Sequence, residues 1–174
     1  MILRATTAAL GLAAAAVMLS GCLAAAPEPT PTSTAAFASE DEAFAAAEET
    51  YRAYVDAINA RRADAESMPE PQSFLTGEAL TADIRSQQEA GRLGIRLEGT
   101  STIVSVVDVS ADSVKGDVVI RACYDSSSTR VLNEAGEDVT VPDRDPTVLT
   151  EVHLTDSGEQ LLIETLLGVT SDEC

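Results

Sequence analysis

The spacing of apolar residues changes at Gly94, and this change limits the folds that the chain can adopt. Before Gly94, apolar residues recur at intervals of three and four, which predicts one buried face of a helix. The residues on that face are Phe44, Ala47, Tyr51, Tyr54, Val55 and Ile58. After Gly94 the period falls to about two and β-branched residues become frequent, which is typical of strands. Helices followed by strands, without alternation between them, predict an α+β fold.

The first helix has its own start signal at Ser39. The Ser39 side chain can cap the helix, and Glu42, three residues later, completes a capping box. Acidic residues in the first turn suit the positive end of the helix dipole, and Arg61 and Arg62 suit its negative end. We therefore predict a helix that begins at Ser39 and ends near the two arginines.

A second helix is predicted from about Thr76 to Ala90. We expect Leu80 and Ile84 to point inward, and Gly91 stands where it can end the helix. The Pro69–Pro71 stretch separates the two helices, because proline disrupts a helix interior.

Four strands are predicted after Gly94. They are Ile95–Val109, bent near Gly99, then Val114–Tyr124, Val148–Leu154 and Leu161–Val169. Short turns at Ala111–Ser113 and Asp156–Glu159 favour antiparallel pairing of the strands that they join. The excursion between Tyr124 and Thr147 contains glycine and proline, and we expect a small hairpin there, with Val131–Leu132 against Val139–Val141.

The N-terminus has the composition of an export signal. Arg4 is the only charged residue before Cys22, and the apolar run Ala5–Met18 is too short to span a membrane. The run leads into Leu19-Ser20-Gly21-Cys22, which resembles the lipobox of bacterial lipoproteins at all four positions. The resemblance implies cleavage before Cys22, a diacylglycerol on its sulfur, and acyl chains such as palmitate. The alternative is an ordinary signal peptide with an accidental cysteine.

This resemblance divides the chain into three parts. Residues 1–21 are the expected signal peptide, 22–38 the lipidated cysteine and a disordered Pro/Thr/Ala-rich linker, and 39–174 the α+β domain. Alternating prolines in the linker favour extended geometry at about 3.1 Å per residue. A bare solvated spacer explains the linker, although Thr and Ser beside proline also resemble O-glycosylated stalks. The expected location is the outer face of the cell membrane, outside the cytoplasm.

The acidic charge of the chain limits the classes of partner that it can bind. There are 29 Asp and Glu against 11 Lys and Arg, which gives a formal net charge of −18. Nucleic acid is excluded as a partner, because phosphate binding needs clustered cations. Anionic headgroups would also repel the domain, so the lipid on Cys22 is the expected membrane attachment. The partners that remain are an envelope protein, a wall component or a small apolar ligand.

The cysteine count favours one disulfide. With Cys22 used for lipid, Cys123 and Cys174 form an even pair in a compartment outside the reducing cytosol. In the chain-entropy description, a bridge that closes a loop of this length contributes roughly 4 kcal/mol. Two free buried thiols are the alternative.

The predicted order of elements resembles a known fold. Two N-terminal helices packed on a long curved antiparallel sheet, with a face such as Tyr51, Tyr54 and Ile58, are similar to the NTF2-like (cystatin-like α+β) cone. Residues 39–174 also resemble small lipoproteins of high-GC Gram-positive bacteria. The similar features are Cys123-Tyr124-Asp125 at a strand end, a turn at Glu134-Ala135-Gly136, and a second cysteine near the C-terminus, Cys174.

Two functions follow from this resemblance. One is a non-catalytic binding or accessory domain at the cell envelope. The other is a cavity enzyme of the ketosteroid-isomerase or dehydratase type, with His153 or an aspartate as base. His153 is the only histidine, and strand parity places it on one face with Glu151. Glu151 or Asp56 is the candidate partner that would orient it. A histidine on the solvated sheet face is the simpler interpretation.

Other candidate site residues also have simpler interpretations. Tyr51 and Tyr54 can donate hydrogen bonds into a pocket, yet core tyrosines with their hydroxyls at the rim explain them more simply. Asp143-Arg144-Asp145 can offer carboxylates to calcium but lacks a spaced ligand series, which favours a solvated acidic loop. A single histidine excludes a two-histidine zinc site, and no nucleotide or cofactor motif is present. We predict no metal and no cofactor.

Overall fold

The computed structural model of the protein describes residues 35–170 and 174. The predicted signal peptide, the lipobox and most of the linker lie outside these residues. The elements, in chain order, are α1 (Glu40–Ala63), a 3-10 turn (Pro71–Phe74), α2 (Gly77–Leu93), β1 (Arg96–Gly99), β2 (Thr102–Asp112), β3 (Asp117–Asp125), β4 (Thr129–Leu132), β5 (Thr147–Asp156) and β6 (Leu161–Val169). Both helices precede the strands, and the strands pair antiparallel, so the predicted α+β class is confirmed.

Helix α1 begins as the sequence predicts. The hydroxyl of Ser39 accepts a hydrogen bond from the backbone N–H of Glu42 at 3.2 Å. The Glu42 carboxylate reaches back to the backbone N–H of Ala38 at 2.8 Å, one residue before the position of an ideal capping box. The buried stripe of α1 consists of Ala43, Ala47, Tyr51, Tyr54, Val55 and Ala57. Phe44 and Ile58, which were predicted on this face, are half-buried at its margins.

Helix α2 ends three residues later than predicted. Gly94, with φ of +63°, is its left-handed terminator. The N–H of Gly94 donates to the carbonyl of Gly91 at 3.2 Å, and the N–H of Ile95 donates to that of Ala90 at 3.0 Å. This is the bonding pattern of a Schellman motif, so Gly91 lies inside the helix and the prediction that it ends α2 is wrong.

The predicted inward face of α2 is also wrong in part. Leu80 is half-buried and packs against the core, but 42% of Ile84 is exposed. The inward stripe instead passes through Ala79, which is 5% exposed, and Asp83, whose side chain is 12% exposed. Leu80 and Ile84 predicted an inward stripe that is rotated about the helix axis from the observed one. The prediction failed because α2 faces its neighbours with small and polar side chains.

Strands β2, β3, β5 and β6 form a four-stranded sheet in the order β2-β3-β5-β6. The turns after β2 and β5 connect adjacent strands, as predicted. Register shifts interrupt β2 at Ile103/Ser105 and Asp108/Ser110, and the β5–β6 pair at His153/Leu154. Bulges of this kind bend a strand and increase its twist.

The stretch 95–109 is not one bent strand. Its first part, β1, pairs with β4 in a separate two-stranded sheet, whereas β2 joins the main sheet. The chain switches sheets after Gly99, where φ is +91° and a side-chain Cβ would overlap the carbonyl oxygen of Ser128. The predicted hairpin is therefore reduced: β4 pairs with β1, and it meets the later segment through an isolated bridge between Leu132 and Asp138.

The core lies between α1 and one face of the main sheet. Its least exposed large residues on the sheet are Val118, Ile120, Val152 and Ile163, all at 0–1%. The 3-10 turn and the start of α2 cover the edge of the sheet, where the N–H of Thr76 donates to the carbonyl of Ile163 at 2.9 Å.

The predicted disulfide is present. Cys123 and Cys174 are bonded, with their Cα atoms 5.6 Å apart. Cys123 lies in β3, and β5 separates β3 from the last strand, β6. The bridge therefore connects residue 174 to a strand in the interior of the sheet. None of the helices among the described residues is long and apolar enough to cross a membrane.

Two glycine substitutions test where α2 ends. Gly91→Ala should raise the free energy of unfolding by about 0.5–1 kcal/mol, because alanine favours a helix interior and its Cβ meets no atom within 4 Å. Gly94→Ala should lower it by about 1–2 kcal/mol, because alanine resists the left-handed conformation. Urea denaturation of both variants measures the effects. Destabilisation by Gly91→Ala would contradict the assigned helix end.

Candidate functional site

Tyr51 and Tyr54 lie side by side on the buried stripe of α1, with ring centroids 6.3 Å apart. Burial raises the pKa of the Tyr51 hydroxyl far above its usual value, against a hydrogen bond from Thr150 that lowers it. Burial also raises the pKa of Tyr54 to about 12, and the nearby Asp83 carboxylate adds to the rise. A phenol is protonated at neutral pH in any case, and the raised pKa values keep both hydroxyls available as hydrogen-bond donors well into the alkaline range.

Asp83 is the acidic centre of the space between α1 and α2. Its carboxylate accepts hydrogen bonds from the Gln72 side chain at 2.9 Å, from the Gln87 side chain, and from Arg61 at 3.5 Å. The second terminal nitrogen of Arg61, Nη1, is buried and has no hydrogen-bond partner among the described residues. Asp83 thus accepts from three side chains, whereas the positive charge of Arg61 is only partly neutralised by its long contact with Asp83.

A second polar cluster joins the end of α1 to the connection between β1 and β2. The Asn59 side chain bonds both backbone groups of Ser101, each at 2.9 Å. Arg62 donates to the Ser101 hydroxyl at 2.8 Å, to the Asn59 oxygen at 3.4 Å and to the Tyr124 hydroxyl at 3.4 Å. Ser101 is only 2% exposed, so these bonds satisfy a buried polar segment.

Between the two helices lies an open cleft, which we call the α1–α2 cleft. One part, of about 330 Å³, extends from Tyr54 and Asp83 to Thr165, Leu166 and Leu167 on β6. The other part, of about 430 Å³, is bordered by Ile58, Arg61, Arg62, Asp83, Ala90 and Leu97. Asp83 and Ser86 line both parts. The cleft therefore presents arginine and tyrosine donors beside apolar walls.

His153 and Glu151 lie on the opposite face of the main sheet. Val152 and Leu154, their neighbours in β5, point to the core at 0% and 2% exposure. The His153 ring nitrogen Nε2 is 2.9 Å from Glu151, which also accepts from Arg121 on β3 at 3.0 Å. The structure therefore pairs His153 with Glu151, as predicted, but away from the α1–α2 cleft.

Asp56 does not meet His153. It is exposed on α1, where it borders a shallow surface hollow with Arg52 and Asn59. Because α1 packs on the core face of the sheet, Asp56 lies across the sheet from the histidine. Of the two candidate partners of His153, the structure therefore places Glu151 beside the histidine and Asp56 away from it.

The loop Asp143-Arg144-Asp145 serves the fold in a way that its sequence did not suggest. Arg144 donates to the carbonyl and hydroxyl of Ser126 at 2.7 Å each, and to the carbonyl of Thr129 at 2.9 Å. Asp145 accepts from the N–H of Thr147 at 3.0 Å. Within residues 35–170 and 174, no group of three or more His, Cys, Asp or Glu side chains is placed to hold a metal ion.

The residues that make the cleft polar were largely missed by sequence reasoning. Asp83 belongs to no motif, and Arg61 and Arg62 were assigned only to the negative end of the helix dipole, because polar residues on a helix normally face solvent. A signal did exist: Asp83 and Gln87 follow Ala79 at intervals of four, which places all three on one helical stripe.

Comparisons with known proteins leave the family open. No protein-family model matches the chain, and no curated protein matches it significantly. Among solved structures, the intermembrane space region of the chloroplast protein ARC6 matches with 19% sequence identity and a TM-score of 0.38. The match covers 71% of this chain and 96% of that structure.

Asp83→Ala tests the role of the buried carboxylate. The free energy of unfolding should fall by about 2 kcal/mol, because three donors lose their acceptor. Glu89→Ala on the same helix removes only an exposed contact with Arg92 and should change stability far less than Asp83→Ala does. Equal effects of the two substitutions in urea denaturation would contradict the assignment.

Glu151→Gln tests the pair on the outer sheet face. Hydrogen bonds from His153, then from Arg121, hold the pKa of Glu151 below its usual value of 4.5. A lowered folded-state pKa stabilises the fold above pH 4.5, and this contribution disappears as the pH falls through the folded-state value. The variant should thus be less stable than wild type at pH 7, with a difference that shrinks in acid. Glu159→Gln, in an exposed turn, is the control for thermal unfolding across pH.

Proposed function

We propose that the protein is a lipoprotein anchored by Cys22 to the outer face of the cell membrane, where its α+β domain binds a partner. The observation that carries this proposal is the bond between Cys123 and Cys174. It uses two of the three cysteines and leaves Cys22, in its Leu-Ser-Gly-Cys setting, as the third. Disulfides persist in oxidising compartments, which supports a location outside the cytoplasm.

The domain is proposed to be NTF2-like. Support comes from two N-terminal helices that precede a four-stranded antiparallel sheet, and from α1 packed across one face of that sheet. The bulges in β2 and between β5 and β6 are features that bend a sheet toward such a cone. This fold hosts binding domains and enzymes alike, so the function must be argued from the site.

The α1–α2 cleft supports binding more than catalysis. Its arginines and the buried Tyr54 are hydrogen-bond donors, and the Asp83 carboxylate already accepts from three side chains. The alternative function, a ketosteroid-isomerase or dehydratase type of enzyme, needs a base close to the substrate. His153 and Glu151 lie on the other face of the sheet, and Asp56 lies outside the cleft. An enzyme would therefore depend on Asp83, or on Glu78 at the border of the smaller part of the cleft. The proposed partners remain an envelope protein, a wall component or a small apolar ligand.

Cys22→Ala tests the anchor. The variant should lose fatty-acid label and leave the membrane fraction, or accumulate unprocessed, because the acylated sulfur is gone. Ser20→Ala is the matched control, since it keeps a small residue beside the cleavage site and should remain labelled and membrane-bound. Labelled Cys22→Ala protein in the membrane fraction would refute the assignment of Leu19-Ser20-Gly21-Cys22 as a lipobox.

A further inference from the structure

We propose that the larger part of the α1–α2 cleft binds a small organic anion that has one anionic head and an apolar body. This inference rests on the proposed binding function and names the class of ligand. Its basis is an excess of positive charge, unspent hydrogen-bond donors and apolar walls in one cleft, which the chain as a whole would not suggest.

The charge in this part of the cleft is opposite to that of the whole chain. Arg61, Arg62 and Arg96 border it, and Asp83 is the carboxylate that borders it with them. Arg96 is offset by a contact of 3.2 Å with Glu98, which leaves two arginines against Asp83. In a chain with a net charge of −18, a local positive site draws small anions while the surrounding surface repels extended polyanions.

Arg61 and Arg62 have donors to spare. The contact of Arg61 with Asp83 is long, at 3.5 Å, and its buried Nη1 has no hydrogen-bond partner within the described part of the chain. Arg62 makes no ion pair there, because its bonds go to the neutral oxygens of Asn59, Ser101 and Tyr124. A half-buried guanidinium with only neutral acceptors gains from a bound anion, since charge-assisted hydrogen bonds are about twice as strong as neutral ones.

The walls of the cleft determine the chemistry of the rest of the ligand. Ile58 on α1, Ala90 on α2 and Leu97 on β1 border the same space as the arginines, and 40% of Leu97 is exposed. The volume of about 430 Å³ suits a small molecule with an apolar body. A carboxylate or phosphate head would meet the arginines while the body covers these side chains.

Octanoate is the probe that combines both parts. We expect it to shift the backbone amide NMR signals of the cleft residues in the full-length Cys22→Ala chain, which carries no lipid that could compete. Octylammonium, with the opposite head charge, should not bind. Acetate and inorganic phosphate, which have no apolar body, should bind at least ten times more weakly. Absence of octanoate shifts, equal binding of octylammonium, or equal binding of phosphate would each overturn the proposal.

Three substitutions locate the site. Arg62→Gln keeps hydrogen-bonding capacity but removes the charge, and should weaken octanoate binding at least tenfold. Leu97→Glu places a carboxylate at a half-exposed position and should weaken it similarly without unfolding the domain. Arg92→Gln removes the same charge from α2 outside the cleft and should leave binding unchanged. Loss of binding in Arg92→Gln, or full binding in folded Leu97→Glu, would refute the site.

The proposals for the ligand and for the anchor can be refuted independently of each other. If octanoate does not bind while Cys22→Ala still releases the protein from membranes, the ligand class is wrong and the anchor stands. If octanoate binds in the cleft while Cys22→Ala stays lipid-labelled, the anchor is wrong and the ligand class stands.

Discussion

The packing of α1 against the main sheet is the interaction on which the rest of this structure depends. The first half of its buried stripe consists of Ala43 and Ala47, both at 0% exposure, and small side chains let a helix approach a sheet closely. Tyr51 and Tyr54 continue the stripe with large rings, and each full burial of a large apolar side chain contributes about 1.5–3 kcal/mol. Strands β2, β3, β5 and β6 supply the opposing surface, so α1 and the sheet require each other.

The polar clusters depend on that packing. Once α1 is in place, Asn59 and Arg62 at its C-terminal end meet the buried Ser101, and Arg61 meets Asp83 on α2. These bonds make the turn between β1 and β2 possible, because its buried backbone groups need partners. The same bonds leave the arginines beside an open cleft. Structural support of the fold and a candidate binding site therefore come from the same residues.

Much of the fold could be predicted, because its signals are local. Ser39 and Glu42 act within one turn of helix, the turns after β2 and β5 join adjacent strands, and β6 has the predicted bounds. The errors come from signals that depend on neighbours. Gly91 and Gly94 are equally plausible helix ends until the hydrogen bonds are known, and Ile84 looks inward until α2 is placed. The candidate site was the least predictable part, because Arg62 and Tyr124 are 62 positions apart in the chain.

The sequence by itself determined the order of helices and strands, the start of α1, the class of the fold and the pairing of Cys123 with Cys174. These depend on backbone preferences, periodicity and cysteine count, which act locally or by composition. Only the tertiary structure decided that His153 lies on the outer sheet face and that Asp83 is buried between the helices. The reason is that burial and electrostatic environment depend on which elements pack together, and a cleft formed by α1, α2 and β1 has no counterpart in any one segment of the chain.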